Sequence, residues 1–247
     1  MTSASPPAVQ DAIILAAGNG DRFQDGSGTS KLLHQVSGQP LVLRTLATAA
    51  ASGITRFEIV LGYQAEQVRR TIETGVPRGT TARFHYNPHW HLENGVSALV
   101  PRQRFTTGRF ALLMGDHLFT ASMLSLLLTA TLSRDESILA VDARPALPEV
   151  ATEATKVRVS ANRITAIGKD LAHWDALDTG VFVCAPTLFA ALDAAQAEHD
   201  TTLTGGIRRL AARGLMCCRE TSAAWCDIDT TADLESAEAL LAQSRCA

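Results

Sequence analysis

Apolar residues occur along the chain in short continuous runs that alternate with longer amphipathic segments. Continuous runs of this kind predict strands buried on both faces, whereas apolar residues spaced three or four positions apart predict helices. Up to residue 142, the predicted strands are 12–16, 57–61, 82–85, 110–114 and 137–141, and the predicted helices are 41–52, 65–73, 94–100 and 122–132. This alternation predicts a mostly parallel sheet with helices on both faces.

The pattern changes after residue 142, where predicted strands follow one another with only turns between them. They are 156–159, 163–167 and 177–184, and Ala161-Asn162 has the composition of a hairpin tip. Helices at 188–195, 203–212 and 231–241 and a strand at 215–219 complete the pattern. We therefore predict a three-layer α/β/α sandwich with a mostly parallel, Rossmann-like sheet and antiparallel additions in its second half. We expect a disordered tail over 1–10 and a single domain over 11–247, with halves 11–142 and 143–247.

The composition permits a large core and argues against several classes of protein. The chain has 247 residues, 46% of them hydrophobic, and a net charge of −3, whereas general nucleic-acid binding needs a basic face. Five cysteines without C-x-x-C spacing argue against a disulfide framework or zinc site and favour a reducing, cytoplasmic location. Residues 1–10 do not resemble a signal peptide, and the longest apolar run, 123–132, is too short to span a membrane.

The stretch 12–31 carries the strongest chemical signal. A short apolar strand leads into Ala16-Ala17-Gly18-Asn19-Gly20, small residues that let the backbone approach a ligand closely. Arg22 and Lys31 flank a loop rich in glycine and serine. Backbone N–H groups that cradle oxygens, together with cations that neutralise charge, suit a polyphosphate, so we expect a nucleoside triphosphate to bind here.

Two better-known phosphate motifs fit this loop less well. Residues 18–23 begin like the dinucleotide fingerprint G-x-G-x-x-G, but Phe23 replaces the last glycine, where close helix–strand packing needs one. A P-loop requires Gly-Lys-Ser/Thr at the start of a helix, whereas here Ser30 precedes Lys31. Phe23 therefore disfavours an oxidoreductase that uses a dinucleotide.

Two aspartates lie at positions that suit a metal ion. Asp116 follows the strand 110–114, and Asp227 lies in the late segment Trp225-Cys226-Asp227-Ile228-Asp229-Thr230. Ligands of open α/β sheets bind outside the carboxyl ends of the strands, so we expect these segments to converge with the 12–31 loop. Because Mg²⁺ in phosphate sites takes one or two carboxylates plus phosphate oxygens, Asp116 and Asp227 are candidate ligands.

These residues resemble the signature of the sugar-nucleotidyltransferase family. LAAGNGDRF (15–23), SKLL (30–33) and SGQPLVLRTL (37–46) are similar to L-A-A-G-x-G-x-R … P-K-x-L … G-x-P-[LM], with Ser30 where the family usually has proline. Further segments resemble CTP:inositol-1-phosphate cytidylyltransferases within that family: FALLMGDHLF (110–119), EATKVRV (153–159), ITAIGKDL (164–171), DALDTGVFV (175–183) and WCDIDT (225–230). The resemblance implies the nucleotide-diphospho-sugar transferase fold.

The resemblance also implies a Mg²⁺-dependent cytidylyltransferase that transfers CMP from CTP to a small phosphate monoester, with inositol 1-phosphate as the first choice. Residues 11–142 would bind the nucleotide and 143–247 the acceptor. The implied catalytic cations are Arg22 and Lys31, and the implied metal ligands are Asp116, Asp227 and Asp229. The implied nucleotide-binding residues are Leu15, Ala16, Ala17, Gly18, Asn19, Gly20, Glu93, Asn94, Gly95 and Ser97. The implied acceptor-binding residues are Asp142, Lys156, Lys169, Asp178, Thr179 and Gly180.

Other interpretations stay open from the sequence. Within the same class, the acceptor could be phosphocholine, a phosphonate, or a sugar 1-phosphate with UTP or dTTP. A different class is a non-catalytic nucleotide-binding regulatory protein, against which the presence of Arg22, Lys31, Asp116 and Asp227 argues. The expected partners are CTP and a small phosphorylated alcohol, with no nucleic acid and no membrane insertion, and a homodimer is compatible with the sequence.

Overall fold

The computed structural model describes residues 9–20, 23, 28–144 and 153–244. In chain order the strands are β1 (Asp11–Ala16), β2 (Gln35–Val36), β3 (Gln39–Pro40), β4 (Arg56–Leu61), β5 (Thr81–Tyr86), β6 (Phe110–Met114), β7 (His117–Phe119), β8 (Ser137–Asp142), β9 (Lys156–Ser160), β10 (Arg163–Gly168), β11 (Ala176–Cys184), β12 (Met216–Glu220) and β13 (Trp225–Asp227). The α-helices are α1 (Leu41–Ala51), α2 (Ala65–Gly75), α3 (Asn94–Leu99), α4 (Ala121–Leu128), α5 (Thr187–Ala197), α6 (Leu203–Ala212) and α7 (Thr231–Ser244). Short 3₁₀ helices occupy Lys31–Leu33 and Arg102–Arg104. None of these helices is long and apolar enough to cross a bilayer.

Nine strands form one mixed sheet in the order β5-β4-β1-β6-β11-β8-β12-β10-β9. The pairs β1–β4, β1–β6, β4–β5 and β8–β12 are parallel, whereas β11 is antiparallel to both of its neighbours. The predicted α/β architecture with antiparallel additions is therefore confirmed. Because β11 comes from the second half of the chain and lies between β6 and β8, both halves share one sheet, and the single domain stays a prediction.

The alternation of side chains along β1 explains the layers of the core. Ile13 and Leu15 face a cluster that contains buried residues of α3, α5 and α6, and Ile14 faces a cluster that contains buried residues of α1, α2 and α4. A third, smaller cluster consists of Phe23, Val36, Leu41, Leu118, Ile228 and Ala237. Phe23, which breaks the glycine fingerprint, thus anchors its loop against α1, β7 and the last helix.

The structure extends the fold at the amino terminus beyond the prediction. Residues 1–8 lie outside the described residues, but the predicted tail of ten residues was too long. Val9 packs against the cluster of α1 and α2, and the Gln10 carbonyl accepts hydrogen bonds from the backbone N–H groups of Thr55 (2.9 Å) and Arg56 (3.0 Å). These contacts fix the chain before β1 begins.

The helix predicted at 122–132 was too long at its carboxyl end. α4 ends at Leu128, and the Thr129 hydroxyl donates to the Ser125 carbonyl at 2.9 Å. The chain then turns so that the Leu132 carbonyl accepts from Arg109 at 3.0 Å. By contrast, the predicted hairpin tip is confirmed, because Ala161 and Asn162 have φ values of 48° and 60°, as a tight two-residue turn requires.

The sequence pattern missed a small antiparallel pair, β7 and β13, outside the main sheet. Its register places His117 opposite Asp227 and Leu118 opposite Cys226. Strands of three residues are too short to show a periodic pattern. This pair nevertheless brings the residues after β6 beside the late WCDIDT segment, and so builds the site described next.

Candidate active site

A cavity of about 1050 Å³ opens at the edge of the sheet where β6 and β8 end and β11 begins. Both halves of the chain contribute to its lining, which includes Asn94, His117, Asp142, Lys169, Asp178 and Asp227. Ligands of α/β sheets bind at the carboxyl ends of parallel strands, so the position is the one expected from topology.

Lys31 lies beside this cavity with its ammonium group buried among acceptors. The Lys31 Nζ atom is 2.7 Å from Asp116 Oδ2 and 3.1 Å from Asp229 Oδ1, and it donates to the Ile228 carbonyl at 2.9 Å. Burial alone would lower the pKa of Lys31, but the carboxylates of Asp116, Asp229 and Asp227 outweigh it and raise the pKa. The side chain is therefore a permanent cation.

The end of β1 is pinned by backbone contacts on both sides. The Leu15 carbonyl accepts from the Gly115 N–H and the Ala17 carbonyl from the Tyr63 N–H, each at 2.9 Å. Leu15, Ala16 and Ala17 are buried, so only their backbone and the residues that follow are placed to meet a ligand.

The glycines after β1 keep space open beside Lys31. A Cβ atom on Gly18 would have no neighbour within 4 Å, and one on Gly20 (φ 65°) would lie 3.1 Å from Lys31 Cδ. Asn19 lies between them, and its binding role stays a prediction. Arg22, the other predicted catalytic cation, lies outside the described residues.

Asp116, His117 and Asp227 form a group in which one donor atom of each residue lies within 4.8 Å of the others. The Asp227 Oδ1 atom is enclosed and accepts no well-aligned hydrogen bond from the described residues, although His117 Nε2 is 3.2 Å away. Two carboxylates with an oxygen directed at one point fit a divalent cation. Asp229, the third predicted metal ligand, instead contacts Lys31 and lies outside this group.

His117 connects the Asp116–His117–Asp227 group to the part of β11 that contains Thr179 and Gly180. Its Nδ1 atom lies 3.1 Å from the Thr179 carbonyl, which can only accept, so Nδ1 donates. A Cβ atom on Gly180 (φ 74°) would lie 2.3 Å from that nitrogen, so only glycine fits there. Burial alone would lower the pKa of His117, but the charges of Asp227 and Asp116 and the Thr179 carbonyl raise it to about 10.

Two of the aspartates that line the cavity, Asp178 and Asp227, have opposite pKa shifts. Burial alone would raise the pKa of Asp227, but the charges of His117 and Lys31 hold it well below its usual range. For Asp178, burial raises the pKa to about 6, with a smaller contribution from the charge of Asp227, against the hydrogen bond from Gly180 N–H and the charge of His117. Asp178 and Asp227 are therefore placed for different tasks.

The register of β11 against β8 is irregular between Asp178 and Phe182. β-Bulges of this kind redirect side chains and are common beside functional sites. Here Asp178 Oδ1 accepts from the Gly180 N–H at 2.8 Å, and the buried Thr179 hydroxyl donates to the Ala140 carbonyl at 2.8 Å. The bulge thus holds Asp178 at the cavity while Thr179 secures the strand.

Asp142 organises a second side of the cavity. Its carboxylate accepts from Arg144 Nε at 2.9 Å and Nη2 at 2.7 Å, and from Trp225 Nε1 at 2.9 Å. Burial alone would raise the pKa of Asp142, but these hydrogen bonds lower it. Arg144 and Trp225 line the cavity, and sequence analysis missed both; an arginine two residues after an aspartate at a strand end was the available signal.

The two predicted acceptor lysines differ in their surroundings. Lys169 lines the cavity and is exposed. Lys156 Nζ instead donates to the Lys169 carbonyl at 2.6 Å, so its described contact braces the hairpin of β9 and β10. Lys169 is therefore the better placed of the two to meet an anionic ligand.

The residues predicted to read the base make structural contacts. Asn94 Oδ1 accepts from the Leu203 N–H at 2.9 Å, and the buried Ser97 hydroxyl accepts from Asn87 Nδ2 at 2.9 Å. A Cβ atom on Gly95 would lie 2.6 Å from the Thr201 carbonyl. These contacts fix α3 against the start of α6, while the exposed Glu93 precedes the helix, and the predicted base contacts of all four residues stay predictions.

Comparison with known sequences gives a family and several long relatives. The family described as the MobA-like NTP transferase domain matches residues 12–214. A bifunctional IPC transferase and DIPP synthase of Rubrobacter xylanophilus is 32% identical over 233 residues, which cover 93% of this chain and 51% of the relative. The protein of the same name from Aquifex aeolicus is 32% identical over 239 residues, covering 96% and 53%. The chain spans about half the length of these relatives.

Solved structures share the fold at low identity. The inositol-1-phosphate CTP transferase from T. maritima has a TM-score of 0.84 and 24% identity, with 97% of each chain covered. A UDP-glucose pyrophosphorylase complexed with UDP-glucose has a TM-score of 0.78 and 16% identity, covering 96% of this chain and 99% of the other. These likenesses confirm the predicted nucleotide-diphospho-sugar transferase fold.

Replacing Lys31 by methionine should lower the free energy of unfolding by about 3 kcal/mol, because the substitution leaves partly buried carboxylates without their cation. Denaturant titration measures the change, and Lys169→Met, at an exposed lysine, is the matched control. Equal effects of the two substitutions would show that the contacts of Lys31 with Asp116 and Asp229 do not stabilise the fold.

Asp178→Asn should stabilise the metal-free protein by about 1–2 kcal/mol at pH 7.5 and leave it unchanged near pH 4. The folded pKa of about 6 lies above the unfolded value, so the stability that protonation confers is lost as the pH rises through 6. Thermal unfolding at the two pH values measures this, with Asp193→Asn, at an exposed aspartate, as the control. An equal change at both pH values would contradict the shift.

Proposed function

The chain belongs to the MobA-like NTP transferase domain family, which confirms the predicted kind of protein, and from this premise we propose that it is a cytidylyltransferase. In this proposal CMP passes from CTP to a small phosphate monoester, with inositol 1-phosphate as the first candidate, and the products are a CDP-alcohol and pyrophosphate. The names of the IPC transferase relatives and of the T. maritima neighbour support this choice of nucleotide and acceptor.

One observation carries the proposal: Lys31, Asp116 and Asp227 converge near the glycine loop, and Asp227 also lines the cavity. The presence of Lys31, Asp116 and Asp227 together argues against a non-catalytic nucleotide-binding protein, which would be expected to have lost one of them. The arrangement suits nucleotidyl transfer, because this reaction depends on positioning of the reactants and on stabilisation of charge.

The reaction needs one bond to form and one to break. An oxygen of the acceptor phosphate attacks the α-phosphorus of CTP in line, and the bond to the bridging oxygen breaks, so that the electron pair leaves with pyrophosphate. In the proposal the N–H groups of residues 18–20 bind phosphate oxygens, and Lys31 stabilises the charge that develops nearby. Arg22 is the predicted partner of Lys31 in this role.

Asp116 and Asp227 would hold the divalent cation, for which Mg²⁺ is the expectation from the family resemblance. When bound, the cation neutralises phosphate charge and orients the reacting groups. Lys31 keeps Asp116 in place through its 2.7 Å contact, so the ligand is positioned before any nucleotide arrives.

The other side of the cavity suits a phosphorylated polyol. Asp178, and Asp142 where its oxygens remain accessible, are acceptors for hydroxyl groups, and the nearby cations Arg144 and Lys169 suit a phosphate. A sugar 1-phosphate with UTP is the second candidate, because a UDP-glucose pyrophosphorylase shares the fold. The cytoplasmic location and the homodimer stay predictions.

The deciding experiment measures pyrophosphate release with each of CTP, UTP, dTTP and ATP against inositol 1-phosphate, phosphocholine, a phosphonate and glucose 1-phosphate. Release is expected with CTP and inositol 1-phosphate in Mg²⁺ and not in EDTA. Asp116→Asn should abolish it, whereas Asp193→Asn, at an exposed aspartate outside the site, should not. Release only with UTP and glucose 1-phosphate would overturn the cytidylyltransferase assignment. Absence of release with every pair would overturn the proposal that the protein is an enzyme.

Asp178→Asn should raise the KM for the acceptor about tenfold or more and leave the KM for CTP nearly unchanged, because a hydrogen bond to a charged group contributes about 1.5–3 kcal/mol. In the unmodified protein the acceptor KM should rise as the pH falls through about 6, where Asp178 takes up a proton. Initial-rate measurements from pH 5 to 8 test both effects. A larger change in the KM for CTP would move Asp178 to the nucleotide side.

A further inference from the structure

The ring of His117 is oriented by groups outside the Asp116–His117–Asp227 group. Because the Thr179 carbonyl can only accept, the Nδ1 atom carries a hydrogen and donates at 3.1 Å. Gly180 allows this approach, since a Cβ atom there would meet the ring at 2.3 Å. The opposite nitrogen, Nε2, is thereby turned toward the two carboxylates. This is the arrangement of metal-bound histidines, whose second nitrogen usually donates to a carbonyl or carboxylate.

The spacing of the three donors matches a coordination sphere. His117 Nε2 is 3.2 Å from Asp227 Oδ1 and 3.9 Å from Asp116 Oδ1. Around a six-coordinate cation with bonds of about 2.1 Å, neighbouring ligands lie about 3.0 Å apart and opposite ligands about 4.2 Å apart. Both measured distances fall inside this range, and the three donor atoms lie within 4.8 Å of one another, so one cation could contact all three after side-chain shifts.

The hydrogen bonds around the group leave its donor atoms available. Asp116 uses Oδ2 for Lys31, which leaves Oδ1 toward His117. Asp227 Oδ1 is shielded from solvent and accepts no well-aligned hydrogen bond from any described residue. The charge of His117, whose Nε2 atom is 3.2 Å away, compensates this oxygen in the metal-free protein, and a bound cation would replace that partner.

We propose that His117 is the third protein ligand of the metal centre, through Nε2, and that the centre therefore binds Mn²⁺ more tightly than Mg²⁺. Imidazole suits transition-metal ions, whereas Mg²⁺ prefers oxygen ligands and retained water. The inference rests on the proposed function, because it takes Asp116 and Asp227 as the cation ligands of that reaction. Neither family resemblance nor local sequence pattern assigned this role to His117.

Coordination changes the partners of His117 in a balanced way. A bound cation would take over the negative charges of Asp227 and Asp116, which raise the pKa of His117 in the metal-free protein. His117 would then bind as the neutral imidazole, and its Nε2 proton would pass to solvent. The Nδ1–H group would still donate to the Thr179 carbonyl, so β11 would support the metal ligand from outside.

The decisive measurement is pulsed electron paramagnetic resonance of the full chain with Mn²⁺ alone. We expect modulation from a directly bound ¹⁴N nucleus, and its replacement by a ¹⁵N signal when the protein is made with ¹⁵N-imidazole histidine. Bound Mn²⁺ without nitrogen modulation would overturn the proposal, and so would failure to bind Mn²⁺. This readout needs no variant and no turnover.

A pair of variants assigns the nitrogen. His117→Gln should remove the modulation and weaken Mn²⁺ binding by about tenfold or more, with a smaller effect on Mg²⁺. His91→Gln, the same substitution at an exposed histidine, should change neither. Modulation that survives in His117→Gln would overturn the assignment. If that variant does not fold, ¹⁵N labelling of the unmodified protein decides the presence of a histidine ligand, and His117 is the histidine in the metal-donor group found among the described residues.

The outcomes for the ligand and for the reaction are separable. Nitrogen-coordinated Mn²⁺ without pyrophosphate release for any substrate pair would keep the ligand assignment and overturn the proposed function. Pyrophosphate release from CTP, together with Mn²⁺ bound only by oxygen atoms, would support the proposed function and overturn the assignment of His117 as a ligand. In that second case His117 remains an ion-pair partner of Asp227.

Discussion

The buried ammonium of Lys31 is the contact on which the site depends. A buried charge is tolerated only when it is paired and hydrogen-bonded, and the partners of Lys31 come from distant parts of the chain. Asp116 follows β6, while Ile228 and Asp229 follow β13. Lys31 follows the glycine loop. The contacts of its ammonium group therefore join this loop to the end of β6 and to the segment after β13. The site therefore forms only when these distant segments of the chain have come together.

Negative charge exceeds positive charge among the described residues of the site. The carboxylates therefore differ in whether a cation is close to them. Asp116 and Asp229 contact Lys31, and Asp227 contacts His117, whose charge together with that of Lys31 holds the pKa of Asp227 well below its usual range. Asp178 makes no described salt bridge, and its burial instead raises its pKa to about 6. In the proposed reaction Asp116 and Asp227 would hold the cation, whereas Asp178 would meet the hydroxyl groups of the acceptor.

The features that the sequence could predict follow from rules that act locally or through topology. The apolar runs identified β1, β4, β6 and β8, and the rule that ligands meet the carboxyl ends of strands brought Asp116 and Asp227 together in advance of the structure. Strands β7 and β13 were missed because three residues are too few to show the alternation of apolar and polar positions that marks a strand. Lys156 was assigned to the acceptor because its motif resembles a family, but its ammonium reaches the Lys169 carbonyl, a contact that no local pattern reveals.

The role of His117 was harder still to predict, because the orientation of its ring depends on Thr179 in β11, about sixty residues later in the chain. Next to Asp116 in the sequence, the histidine is consistent with a contact to the acceptor and with a strand cap. The bulge after Asp178 turns the Thr179 carbonyl toward the ring, and the absence of a Cβ atom on Gly180 makes room for it. The same bulge places Asp178 at the acceptor side of the cavity. One imidazole ring thus contacts both the carboxylates of the proposed metal centre and the strand that would position the acceptor.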